Sequence, residues 1–123
     1  MIGINNLNNG QSTDETIQLY GALFDRFDKE IPNTAIYIQS VLPTNSDWMF
    51  SIDLEEVATL NRFLESEAAT RDYRFINLDS VFADSTGQLR ADLSNDGIHI
   101  AGNGYRFWSE FVDSYVREPV LID

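Results

Sequence analysis

The single histidine of the chain, His99, follows Asp96 by three residues in the segment Asp-Gly-Ile-His. An imidazole can take a proton from a nucleophile, and a carboxylate bonded to its other ring nitrogen selects the tautomer that this task needs. Gly97 has no side chain, so the backbone between the two residues can bend tightly enough to bring the carboxylate to the ring. The pair therefore predicts acid–base chemistry of the kind used in acyl transfer.

Acyl transfer also needs a donor for the negative charge that develops on the carbonyl oxygen of the substrate. Asn5 ends a short apolar stretch, residues 1–5, and begins an asparagine-rich run. This pattern predicts the last turn of a buried strand that opens into a loop. A side-chain amide at the end of such a strand would be held rigidly, which makes Asn5 the third candidate.

Each candidate also has a simpler explanation. A lone histidine such as His99 more often bonds a nearby carbonyl than catalyses a reaction. Asn5 is of a type that tolerates left-handed turn geometry, and Asp96-Gly97 is an ordinary turn dipeptide. These alternatives stay open for each residue taken alone, whereas the three together favour a reactive site.

A calcium loop is another interpretation of the same segment. The segment matches the beginning of the helix–loop–helix calcium pattern at Asp92, Ser94, Asp96 and Gly97. Its twelfth position falls on Asn103 instead of a bidentate glutamate, and no helical pattern precedes the loop. One histidine and no cysteine disfavour zinc as well. We therefore expect no metal and no cofactor.

The helices that position these residues have clear start signals. Ser12 with Glu15, and Asp53 with Glu56, have the spacing of capping boxes, and apolar residues recur after each pair at helical intervals. Pro32 predicts the end of the first helix, because the residue before a proline is pushed out of helical geometry. The second helix is predicted to run to about residue 68, and the last to start near residues 102–104.

A mostly continuous apolar run, residues 35–42, predicts a parallel strand covered on both faces, and residues 73–78 are predicted to form the next strand. Together with residues 1–5 they make about three strands alternating with helices, an α/β fold that occupies residues 1–123 as a single domain. Parallel sheets bind ligands at the carboxyl ends of their strands. Three predicted segments emerge at that edge of the sheet: Asn5, the loop from residue 43 and the loop from residue 79. The pair Asp96 and His99 follows the last strand and can reach the same edge.

The charge and composition of the chain limit the classes of partner that it could bind. The chain has 8 basic and 20 acidic residues, for a net charge of −12, which disfavours binding to nucleic acid or to anionic membranes. No apolar run approaches the ~20 residues needed to span a bilayer. The absence of cysteine leaves the redox compartment, and hence the localisation, undetermined.

Two segments resemble signature blocks of the SGNH (GDSL-type) hydrolases: Gly3-Ile4-Asn5 is similar to their Gly-x-Asn block, and the segment from Asp96 to His99 to their Asp-x-x-His block. The resemblance extends over essentially the whole chain, in particular to bacterial acetylhydrolase-like members. It implies a three-layer flavodoxin-like parallel sheet flanked by helices, and no metal. It also implies His99 as base, Asp96 as orienting acid and Asn5 as oxyanion donor. The implied substrate is a small ester, such as an acetylated sugar or a lipid-like ester.

The chain departs from the family pattern in two places. Asn6 stands where the family usually has aspartate, and no Gly-Asp-Ser nucleophile block occurs. Four other serines are poor substitutes, since Ser12 is a predicted helix cap, Ser40 lies in a predicted strand, and Ser46 and Ser94 lie in loops.

We therefore expect residues 1–123 to be the C-terminal part of such a domain, truncated at its N-terminus and inactive alone. In the family, the strand that carries the serine lies beside the strand that ends at Asn5. Its absence would leave an apolar sheet edge unpaired, and we expect that edge to pair with the missing N-terminal segment or with a second copy. The alternative is a non-catalytic acidic α/β module that binds a partner through this edge.

Overall fold

The computed structural model describes residues 2–45 and 52–117. Two short strands lie among the helices, one on either side of α3. The elements are α1 (Ile4–Asn8), α2 (Thr13–Glu30), β1 (Tyr37–Gln39), α3 (Leu54–Arg71), β2 (Arg74–Ile76), α4 (Asp79–Phe82), a 3-10 turn (Ala91–Leu93) and α5 (Gly102–Val116).

Both predicted capping boxes are present. The Ser12 hydroxyl accepts from the Glu15 amide at 3.1 Å while the Glu15 carboxylate accepts from the Ser12 amide at 3.0 Å. Asp53 and Glu56 form the same reciprocal arrangement at the start of α3. Each box satisfies amides that the first helical turn leaves without partners. The predictions for the starts of α2, α3 and α5 are confirmed.

The two strands are parallel, with Tyr37, Ile38 and Gln39 opposite Arg74, Phe75 and Ile76. Successive side chains of a strand point to opposite faces, and apolar residues cover both faces here. Ile38 and Phe75 pack with α2 and α3, whereas Tyr37 and Ile76 pack with α4 and α5. The structure confirms an α/β fold with a parallel sheet and helices.

The prediction of a strand ending at residue 5 is wrong. Among the described residues the sheet has two strands, and Asn5 lies in helix α1. Gly3 has φ +114, a conformation that L side chains rarely adopt, and it turns the chain directly into α1. Ile2 and Ile4 therefore flank a bend, and their alternation with Gly3 does not reflect a pleated strand.

The first strand is also shorter than predicted, because its continuation is bonded to a side chain. The carboxamide of Asn61, on α3, accepts from the Val41 amide at 2.7 Å and donates to the Val41 carbonyl at 2.8 Å. Asn61 thus takes the place that a neighbouring strand would occupy. This pairing holds the segment after β1 against α3.

Arg71, near the end of α3, joins that helix to α2. Its guanidinium contacts the carboxylates of Asp25 at 2.7 Å, Asp28 at 2.5 Å and Glu67 at 2.6 Å. The hydrogen bonds to Glu67 and Asp25 raise the pKa of Arg71 above its ordinary value. Tyr73 donates to Asp28 as well, which extends the cluster towards β2.

None of the helices in the two described stretches is long and apolar enough to cross a membrane.

Candidate active site

A tight loop between the 3-10 turn and α5 carries Asp96 and His99. Gly97 has φ +79 at its centre, and an antiparallel bridge between Ser94 and Ile100 closes its two ends. The carboxylate oxygen Oδ1 of Asp96 accepts from the amides of Ile98 at 2.8 Å and His99 at 2.7 Å. Aspartate followed by glycine favours this geometry, because the side chain bonds the backbone ahead of it while glycine adopts the positive φ.

The other carboxylate oxygen reaches the imidazole. Oδ2 of Asp96 lies 2.7 Å from Nδ1 of His99, and Nε2 of the same ring lies 3.0 Å from Oδ1 of Asn5. The structure therefore brings together all three residues singled out from the sequence, although Asn5 and His99 are 94 positions apart. The side chains of His99 and Asp96 are 54% and 47% exposed, so the ring is open to a reactant.

Hydrogen bonding lowers the pKa of Asp96 to about 2. Partial burial is the largest single influence and opposes ionisation, but the His99 amide, the His99 ring and the Ile98 amide together outweigh it. The carboxylate therefore stays ionised at neutral pH, when it accepts the Nδ1 proton of the ring.

The contact with Asn5 depends on the protonation of the ring. A neutral imidazole that donates from Nδ1 accepts at Nε2, and so pairs with the NH2 group of the Asn5 carboxamide. A protonated ring donates from both nitrogens and pairs with the Asn5 oxygen instead. Since a carboxamide can present either atom by turning over, Asn5 can serve both states of His99.

Tyr20 and Gly3 fix the start of α1, the helix that carries Asn5. The Tyr20 hydroxyl donates to the Ile2 carbonyl at 2.5 Å, and burial raises the pKa of Tyr20 to about 12, so the hydroxyl keeps its proton. A Cβ at Gly3 would lie within 3.2 Å of Val41 and 3.3 Å of the Tyr20 hydroxyl. Gly3 thus allows the start of α1 to pack closely.

Asn6 stands where the family pattern usually has aspartate, and its side-chain amide donates to Gln11 at 2.5 Å.

The loop after β1 also reaches the site, as predicted for the carboxyl end of a strand. The Asn45 amide donates to the Gly97 carbonyl at 2.9 Å, and the Asn45 side chain donates to the Leu89 carbonyl at 3.0 Å. Asn45 is 5% exposed and links the loop that carries His99 to the segment after β1 and to Leu89. Sequence inspection missed this residue, since nothing in its neighbourhood marks it. Residues 46–51, which include the candidate Ser46, lie outside the described residues.

Three of the serines considered from the sequence lie in the described residues, and each has another role. Ser12 caps α2 as predicted. Ser40 directly follows β1, and its hydroxyl accepts from the amides of Leu78 and Asp79, both at 2.9 Å. The Ser94 hydroxyl donates to the His99 carbonyl at 2.6 Å. The ring nitrogens of His99 bond Asp96 and Asn5, so neither Ser40 nor Ser94 is placed as a nucleophile on this imidazole.

The geometry does not favour the calcium alternative. The Asp92 carboxylate pairs with Arg90 at 2.9 Å, whereas the Asp96 carboxylate pairs with His99. Within residues 2–45 and 52–117, no group of three or more histidine, cysteine, aspartate or glutamate side chains is placed to hold a metal ion.

The residues of this site lie within a segment that matches a known family. Residues 1–107 match the family model of the GDSL-like lipases and acylhydrolases. The chain belongs to this family. No curated protein matches the GDSL-like chain at a significant level.

Solved structures share the fold of this GDSL-like chain. A Streptococcus pneumonia protein named for platelet activating factor is 22% identical, with a TM-score of 0.84 over 94% of the chain and 57% of its own length. A GDSL-like lipase from Bacteroides thetaiotaomicron is 18% identical, with a TM-score of 0.74 over 92% of the chain and 56% of its own length. The esterase domain of the zebrafish ZfL2-1 retrotransposon ORF1 protein is 19% identical, with a TM-score of 0.65 over 95% and 66%. The chain thus spans less than two thirds of each of these proteins.

Proposed function

We propose that the chain is the C-terminal part of a single SGNH-type serine ester hydrolase domain. In this proposal His99 is the general base, Asp96 orients it, and Asn5 donates a hydrogen bond to the oxyanion. The observation that carries the proposal is the line of contacts through one imidazole, with Asp96 at 2.7 Å from Nδ1 and Asn5 at 3.0 Å from Nε2. A carboxylate on one ring nitrogen and an amide beside the other are the parts an acyl-transfer site needs, apart from its nucleophile.

The reaction would run through an acyl-enzyme. His99 Nε2 takes the proton of a serine hydroxyl as the serine oxygen bonds to the ester carbonyl carbon, and Asn5 donates its NH2 to the resulting oxyanion. The protonated ring then gives its proton to the leaving alcohol as the carbon–oxygen bond breaks. Water, activated by the same ring, releases the acid. Because Asn5 now contacts Nε2, its amide must swing from the ring to the carbonyl oxygen when the serine binds there.

We place the serine outside residues 1–123, because these residues contain no Gly-Asp-Ser and because the hydroxyls of Ser40 and Ser94 have other partners. An exposed apolar surface beside His99 is consistent with a covering segment that lies outside residues 1–123. Ile2 is 61% exposed and Tyr105 is 57% exposed, and both line an apolar cavity of about 120 Å³ that also includes His99. We propose that upstream residues cover this surface and complete a flavodoxin-like three-layer sheet.

A paired assay tests the proposal. The chain alone, and the chain extended by the residues encoded before Met1, would be given an activated acetyl ester such as 4-nitrophenyl acetate. We expect hydrolysis by the extended protein and only background turnover by the chain alone. A small acetyl group is the first choice because the resemblance is to acetylhydrolase-like members. Equal activity in both proteins would refute an upstream nucleophile.

A second candidate is a non-catalytic module that pairs through the open side of β1. Among residues 2–45 and 52–117 the sheet has only two strands, and this, with the exposure of Ile2 and Tyr105, favours this candidate. A fluorophosphonate probe separates the two functions, since it labels an activated serine in a working hydrolase and leaves a binding module unlabelled. A molecular size that rises with concentration, without labelling of the extended protein, would support the binding module.

A further inference from the structure

Ser94 makes an unusually complete set of hydrogen bonds for one hydroxyl. It lies directly after the 3-10 turn and is 7% exposed. Its Oγ donates to the His99 carbonyl at 2.6 Å, lies 3.4 Å from Oδ1 of Asp96, and accepts from the amides of Gly97 at 2.9 Å and Asp96 at 3.3 Å. A hydroxyl has one proton to donate and two lone pairs, so its capacity is filled.

The partners of Ser94 lie on both sides of the acid–base pair. Ser94 takes the amides of Asp96 and Gly97, and the Asp96 carboxylate takes the next two, those of Ile98 and His99. Four consecutive amides of an irregular loop are therefore satisfied by two side chains. Asp96 bonds the His99 amide while Ser94 bonds the His99 carbonyl, so the backbone of His99 is held on both sides.

Ser94 is itself firmly anchored. It pairs with Ile100 in the bridge that closes the loop, and the Ala101 amide beside that bridge donates to the Leu93 carbonyl at 2.9 Å. The hydroxyl therefore links a fixed backbone position to the part of the loop that carries the imidazole. This arrangement is suited to keeping the ring aligned with the carboxylate.

We propose that Ser94 is a positioning residue of the catalytic pair, acting through the backbone of Asp96 and His99. Loss of its hydroxyl would leave the buried Gly97 amide and the His99 carbonyl without their partner, and the loop would relax around them. The distance from Asp96 Oδ2 to His99 Nδ1 would then vary, which weakens the ring hydrogen bond. The consequence for catalysis rests on the proposed function, whereas the effect on the ring does not.

Nuclear magnetic resonance of the chain as it stands tests this proposal without any turnover. His99 is the only histidine, so every imidazole resonance belongs to it. The ring 15N shifts report which nitrogen carries the proton, and the exchange rate of the Nδ1 proton with water reports the bond to Asp96. In Ser94→Ala we expect that exchange to be about tenfold faster, the change that corresponds to losing a hydrogen bond of ordinary strength. Ser94→Thr keeps a hydroxyl and should restore the wild-type exchange rate.

Ser40→Ala is the matched control. Ser40 is 0% exposed and its hydroxyl also accepts two backbone amides, but it lies at the end of β1 and contacts α4. We expect Ser40→Ala to lower the stability of the fold and leave the His99 ring signals unchanged. If Ser94→Ala does not fold, Ser94→Cys carries the test, because a thiol occupies the site with much weaker hydrogen bonds.

A wild-type exchange rate in the folded Ser94 variant would overturn the proposal, and so would an equal change in Ser40→Ala, since that would reflect general loosening. Neither result bears on ester hydrolysis by the extended protein. In that protein Ser94→Ala should lower kcat more than it raises KM, because a misaligned base slows the reaction without removing a contact to the substrate.

Discussion

Gly104 sets how closely helix α5 approaches the loop that carries His99. It is buried in the first turn of the helix, and a Cβ built on it would lie 2.4 Å from the Leu93 carbonyl oxygen and 2.8 Å from the Ile100 Cβ. The Leu93 carbonyl cannot yield easily, because it accepts from the Ala101 amide at 2.9 Å. Replacing Gly104 with alanine must therefore push α5 away from the loop or break that hydrogen bond.

The size of the effect follows from opposing contributions. Overpacking a rigid site costs about 1–3 kcal/mol, and loss of the Ala101–Leu93 hydrogen bond costs about 1 kcal/mol more. Alanine regains up to about 1 kcal/mol over glycine through its helix propensity. We therefore expect Gly104→Ala to lower the free energy of unfolding by about 2 kcal/mol. For a chain of this size that corresponds to a fall in Tm of about 8 °C.

Urea denaturation followed by circular dichroism measures this change, and Gly102→Ala is the matched control. Gly102 lies in the same helical turn, but a Cβ there would meet nothing within 4 Å. We expect Gly102→Ala to leave stability unchanged or raise it by up to about 1 kcal/mol. The reasoning would be refuted if Gly104→Ala were as stable as the wild type, or if both variants lost stability equally.

Asn61→Ala should lower the free energy of unfolding by about 2 kcal/mol, because the amide and carbonyl of Val41 both lose their partner; an unchanged urea midpoint would contradict that pairing. Arg71→Met keeps the aliphatic stem but loses three ion pairs, and should cost about 1–2 kcal/mol at low salt and less at 1 M salt. A loss independent of salt would indicate packing instead of charge. The pKa of Asp96 is lowered to about 2 in the folded chain, against about 3.9 in unfolded chains, so its ionised form stabilises the fold above about pH 4. Since its side chain is half exposed, the advantage of wild type over Asp96→Asn is on the order of 1 kcal/mol at neutral pH. It should shrink as the pH falls below about 4 and be lost as the pH falls through about 2; an undiminished gap at pH 2 would rule out this origin.

Local signals predicted the parts of the molecule that depend on neighbours in the chain. The capping boxes at Ser12 and Asp53 and the pairing of Asp96 with His99 involve residues two or three positions apart, and each is present. Ser94 belongs to the same class, since a hydroxyl two residues before an Asp-Gly turn is a local hydrogen-bonding pattern, and it could have been found from the sequence.

Long-range pairing explains what sequence patterns could not show. The run from residue 35 to 42 is apolar throughout, yet the strand stops at Gln39 and Val41 bonds to Asn61, twenty positions away. At the N-terminus, five residues are too few to distinguish a strand from a helix by periodicity. There the positive φ of Gly3 decided for α1, which still brought Asn5 to the ring.

The most direct measurement of the central claim is kcat/KM for an activated acetyl ester, compared between the extended protein and its His99→Asn variant. If His99 is the general base for a serine supplied from outside residues 1–123, the variant should lose about a thousandfold or more in kcat/KM while remaining folded. A folded variant that keeps its activity to within tenfold would show that the imidazole between Asp96 and Asn5 does not carry the reaction.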